Sequence, residues 1–151
     1  MHLEISMAAE PLFEVGPFVI TNSMLTTWLV MAFLVVLSIS VTSRMSLVPR
    51  SRLQSLLELI VEFLLNLAEN TAGKRVGRRI FPLIATLFIF ILVANWAGIL
   101  PGFGTITFEN SHGHRVPLFR AATADMNTTA AMALIAITVV QFVGVTVNGV
   151  R

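Results

Sequence analysis

Few side chains in this 151-residue sequence are equipped for chemistry. Cysteine is absent, so there is no thiolate nucleophile, thiolate metal site or disulfide framework. The three histidines are His2, His112 and His114. His112 and His114, with Glu109 nearby, are the best available metal ligands. A glycine-separated pair in a loop ordinarily stays solvated, so no metal or other cofactor is expected. Gly73-Lys74 lacks the upstream glycine and the following Ser/Thr of a phosphate loop. With no nucleophile, base and metal in combination, an enzyme acting by itself is not expected. What remains is one acid, Asp125, and the amides and hydroxyls of Asn95, Asn127, Thr138, Gln141 and Asn148, all beside or within long apolar runs. Asp125 has two readings: the cap of the helix that follows it, or a proton-accessible carboxylate at a channel mouth.

The apolar runs decide which elements must hold these groups. Hydrophobic residues make up 56% of the chain and charged residues 12%, and mean hydropathy is +0.85. A soluble domain carries about a quarter charged residues, so a soluble globule is not expected, and neither is a disordered chain. The formal charge is only +2. The high isoelectric point reflects arginine content, and no nucleic-acid partner is implied. No charge lies between Glu14 and Arg44, between Arg79 and Glu109, or between Asp125 and Arg151, gaps of 29, 29 and 25 residues. About 20 apolar residues cross the hydrocarbon core as a helix, and lipid offers the backbone no other partner. The fold class is therefore an all-α membrane protein in a single integral membrane domain. Transmembrane helices are expected over 22–43, 80–100 and 126–148. The leader carries Glu4, Glu10 and Glu14 but no basic residue, so the first span is not a signal peptide.

Basic residues set the orientation. Arg44, Arg50, Arg52, Lys74, Arg75, Arg78 and Arg79 lie between the first two spans, and only Arg115 and Arg120 between the second and third. Segment 44–79 is expected to be cytoplasmic and the N-terminus outside. Trp28 and Trp96 then fall near the outer interface, which suits indole rings. Within 44–79, Leu53, Leu56, Leu57, Ile60, Leu64 and Leu67 recur at helical spacing, while Gln54, Glu58, Glu62 and Asn66 follow every four residues beside them. This predicts an amphipathic helix over 51–70, ended by Gly73. It lies along the membrane surface or against a partner, or else is packed on its own bundle.

In the third span, Thr138, Gln141 and Asn148 follow Asn127 by 11, 14 and 21 residues. At 100° per residue they share a sector about 80° wide. A polar stripe of this kind lines a water or ion path, or serves as glue between helices. Ala94 and Gly98, four apart, permit close approach to the second span.

Four strings, taken in order, carry a resemblance: ITNSM at 20–24, QSLLELIVEFL at 54–64, FPLIATLFIFILVANWAGILPG at 81–102 and RAATADMNTTAAMAL at 120–134. Together they resemble subunit a of the F-type ATP synthase, the stator part of its proton channel, over almost the whole chain. The resemblance implies a place in the membrane sector of a rotary proton-translocating complex, multi-pass in the cell (inner) membrane. Its implied partners are the c-ring, other membrane-sector and peripheral-stalk subunits, lipid and protons. Asn95 matches the family's Asn-x-x-Gly-x-x-Pro stretch near the outer half-channel. Gly98 stands where some members have an aspartate. Arg120, Asp125 and Asn127 match the loop-to-helix motif that also contains Thr128, and Ala122 stands where many members carry a proline. The proton-path candidates are thus Asn95, Asp125 and Asn127. The family continues into two further membrane helices with an essential arginine, so residues 1–151 read as the N-terminal portion of subunit a. The alternative is a three-helix membrane scaffold or assembly protein without transport activity.

Overall fold

The computed structural model describes residues 9–16, 18–46, 51–103, 105–109 and 115–148. The His2, His112 and His114 positions lie outside them. Among the described residues four helices dominate, and three of them are long and apolar enough to cross a membrane. The protein is a membrane-embedded, mainly α-helical chain. It divides into two compact units, residues 1–33 with 90–131, and residues 34–89 with 132–151.

The first unit begins with an antiparallel hairpin of β1 (Pro11–Val15) and β2 (Phe18–Thr21). It turns at Gly16, whose φ of 61° is open to a residue without Cβ. Strand β2 runs directly into α1 (Asn22–Thr42). The Thr21 hydroxyl accepts from the Met24 amide at 3.3 Å and so caps that helix. Beyond its first turns α1 exposes Leu29, Met31, Phe33, Val35, Val36 and Ile39, as a helix solvated by lipid should. Helix α3 (Lys74–Ile99) ends in this unit. The chain then turns at Gly102, φ 114°, and forms a second short hairpin, β3 (Thr107–Glu109) with β4 (Arg115–Pro117). A single 3-10 turn over Ala122–Ala124 leads into α4 (Met126–Asn148).

In the second unit, α2 (Arg52–Ala72) starts at Ser51, whose hydroxyl accepts from the Gln54 amide at 3.1 Å. It stops at Gly73, where φ is 77°. Its faces differ from a simple division into leucine and polar sides. Leu64, Ala68 and Gln54 are buried, Leu53, Leu56, Leu59, Phe63 and Leu67 are exposed, and Glu62 and Asn66 lie on a third, exposed polar strip. Gln54 is inside because its amide is used twice, donating to the Ser46 carbonyl at 2.8 Å and to Glu58 at 2.7 Å. Helix α3 begins at Lys74, so the four basic residues preceding the 80–100 span form the helix's own first turns. Lysine and arginine are good helix formers, and their long stems reach the headgroup region. Pro82 lies inside α3. Gly77 lets α3 meet α2, since a Cβ there would lie 2.7 Å from the Ala68 carbonyl oxygen. One turn of charge pairing follows, Arg78 to Glu69 at 2.6 Å.

Candidate functional site

The polar residues of the first unit gather where α1 and α4 begin and α3 ends. Asp125 anchors them. It is only 5% exposed. Its Oδ1 accepts from the Asn127 amide at 3.2 Å, the bond of an N-cap. Its Oδ2 accepts from the hydroxyls of Thr128 and Ser23, each at 3.2 Å. The Ser23 bond joins residues 102 positions apart in sequence and ties the start of α1 to the start of α4. The cap reading of Asp125 is therefore visible in the geometry, together with burial and an interhelical contact that a surface cap does not need.

Ser23 is fully buried, as are Asn22 and Thr26. Each is satisfied, as buried polar groups must be. The Asn22 side chain donates to the Pro117 carbonyl at 3.1 Å and accepts from the Glu10 amide at 3.3 Å. Thr26 donates to the Asn22 carbonyl at 3.1 Å and accepts from the Arg120 amide at 3.3 Å. Thr21 and Ser23 hydroxyls lie 3.2 Å apart. Among the described residues, Glu10 Oε2 is the buried side-chain oxygen without a protein donor.

A second contact holds the loop to α3. The Thr123 hydroxyl donates to Oδ1 of the exposed Asn95. One turn away, a Cβ on Gly98 would lie 2.7 Å from the Cβ of Ala121. Ala94, on the same helix, is fully buried. The small residues of α3 thus admit the loop before α4. The Arg120 guanidinium reaches the Ala124 carbonyl at 3.5 Å.

Of the candidates taken from the sequence, Asp125, Asn127 and Thr128 share one set of bonds, and Asn95 meets the loop through Thr123. Asn127 enters through its backbone, and its side chain is exposed. Thr138 and Gln141 are exposed on the second unit. Asn148 is the last residue of α4. Asn22, Ser23 and Thr26 were not singled out as site residues. The available signal was a run of cap-type residues at the head of an apolar helix, with a further threonine one turn on.

Residues 24–151 match the family model described as ATP synthase A chain. The chain belongs to that family. Relatives include ATP synthase subunit a 1 of Hahella chejuensis, 39% identical over 136 residues, which cover 90% of this chain and 50% of that protein. ATP synthase subunit a of Moorella thermoacetica is 36% identical over 140 residues, or 93% of this chain and 56% of the relative. That of Geobacter sp. strain M21 is 40% identical over 128 residues, or 85% and 48%. The chain spans about half the length of these ATP synthase relatives. Asn95, Arg120, Asp125, Asn127 and Thr128 fall inside the family match, whereas Asn22 and Ser23 precede it. Gly98 also falls inside the family match, and Ala121 closes over it.

Proposed function

We propose that this chain contributes the outer half-channel of the proton path in the membrane sector of a rotary ATP synthase, as part of subunit a beside the c-ring. It is multi-pass in the cell (inner) membrane, with its N-terminus outside and α2 on the cytoplasmic side. It catalyses no bond chemistry itself and works with the c-ring, other membrane-sector and peripheral-stalk subunits, and lipid. The observation that carries this reading is the buried Asp125 carboxylate, held by three donors at the head of α4. A buried carboxylate at the head of a membrane-spanning helix is expensive, and ionisable groups in such settings mark ion and proton paths. Asn95 and Asn127 supply exposed amides in the same unit, suited to ordering water.

The test is Asp125→Asn in the assembled complex. Asparagine keeps an acceptor for the Asn127 amide and removes the exchangeable acid. Proton flux into energised vesicles is expected to fall by about a hundredfold while the complex remains intact. Native flux would overturn the reading. The scaffold alternative draws on the same interhelical bond, Ser23 to Asp125, and predicts the opposite pattern: fewer assembled complexes, each conducting normally.

A further inference from the structure

We infer that the hydroxyls of Thr21 and Ser23 form a proton relay that serves Asp125. This rests on the half-channel reading of Asp125 and names its entry route. Asp125 and Ser23 are buried, whereas Thr21 is partly exposed at the end of β2. The oxygens Thr21 Oγ1, Ser23 Oγ and Asp125 Oδ2 follow one another at 3.2 Å and 3.2 Å. A hydroxyl has one proton and two lone pairs. Ser23 spends its proton on the carboxylate, so Thr21 is the donor in the Thr21–Ser23 pair. Thr21 also accepts from the Met24 amide, which leaves one lone pair for water. The chain therefore runs with one polarity, from the partly exposed Thr21 to the buried acid.

The transfer balances. A hydronium ion at Thr21 gives a proton to Oγ1 as Thr21 passes its own to Ser23 and Ser23 passes its own to Asp125 Oδ2. Three O–H bonds break and three form, leaving water, a neutral Asp125 and two intact hydroxyls pointing the other way. Rotation about each C–O bond restores the starting polarity once Asp125 has given its proton onward. Thr128 also donates to Oδ2. It lies within the first turn of α4, and no further hydroxyl continues from it among the described residues, so it positions the carboxylate.

The experiment compares Thr21→Val, Thr21→Ser, Ser23→Ala and Asp125→Asn in the assembled complex, reading proton flux in H2O and D2O. Thr21→Val leaves the Ser23–Asp125 bond in place and interrupts the chain upstream, so it decides the matter even if Ser23→Ala fails to assemble. Thr21→Val and Ser23→Ala are expected to lower flux about tenfold or more, with Thr21→Ser restoring most of it. The native solvent isotope effect should change in Thr21→Val, which a merely structural role would not produce. If Asp125→Asn blocks flux while Thr21→Val conducts within twofold of native, the relay is wrong and the half-channel stands. If Asp125→Asn conducts normally, both fail.

Discussion

The Ser23–Asp125 bond can be measured by a double-mutant cycle. Ser23 is fully buried and Asp125 nearly so, and their oxygens are 3.2 Å apart. A hydrogen bond to a charged group contributes about 1.5–3 kcal/mol. Interhelical hydrogen bonds in membranes average about 0.6 kcal/mol and stay under about 2 kcal/mol. An O–H···O distance above the usual 2.7–2.8 Å or so argues for the lower part of the first range. The two scales meet near 1.5 kcal/mol, and that is the expected coupling. Asp125→Ala also loses the cap of α4, about 1 kcal/mol, and strands the Thr128 hydroxyl, so its total cost is about 3 kcal/mol. Ser23→Ala should cost about 1.5 kcal/mol in the native background and close to nothing when Asp125 is already alanine. The assay is reversible denaturation of the protein in mixed micelles, followed by helicity. Additive effects, with coupling below about 0.3 kcal/mol, would refute the contact and with it the junction of α1 and α4.

Two further expectations follow from other parts of the chain. A Cβ at Gly77 meets backbone atoms of Ala68 and Glu69 at 2.7–2.8 Å, which cannot rotate away, whereas one at Gly144 meets nothing within 4 Å; Gly77→Val should cost about 2 kcal/mol and Gly144→Val almost nothing, and equal melting shifts would contradict the α2–α3 crossing. The native chain has no cysteine, so Phe18→Cys and Ser51→Cys report topology directly; an impermeant thiol reagent applied to intact cells should label position 18 and spare position 51, and the reverse pattern would invert the orientation.

The spans were legible because charge is costly in lipid: three uncharged gaps in so short a chain leave little choice of helix number. Their ends were less so. The 80–100 span stops its expectation at the first arginine, but the helix continues back to Lys74, since the headgroup region accommodates basic side chains that the hydrocarbon does not. Neither two-stranded hairpin carried a strong signal, because strands of three to five residues offer too few alternations to read. The Asp125 cap was readable from local sequence, as was the small character of Ala94 and Gly98. Their partners were not. Ser23 and Ala121 come from distant segments, and helical spacing fixes an angle around an axis without saying what stands opposite. The same limit applies to the 127–148 stripe, where Thr138 and Gln141 share a sector but are exposed on their own chain.

Glue and path are usually posed as rival roles for polar residues in membrane helices, and here one set of atoms is suited to both. Apolar side chains gain nothing by leaving lipid for one another, so small residues and interhelical hydrogen bonds must hold such helices together. The first unit shows that economy: Ala121 over Gly98, Thr123 on Asn95, and Ser23 and Thr128 on Asp125. Glue alone would be served by a neutral amide at position 125, because asparagine can cap α4 and still meet the two hydroxyls at lower desolvation cost. A carboxylate in that place adds what an amide lacks, a proton that can be taken up and released. In the proposed relay one of these structural bonds has a second task, since the Ser23 hydroxyl that ties the carboxylate to α1 is also the last step by which a proton would reach it. Replacing Asp125 by asparagine separates the two roles, as it should spare the junction and stop the proton.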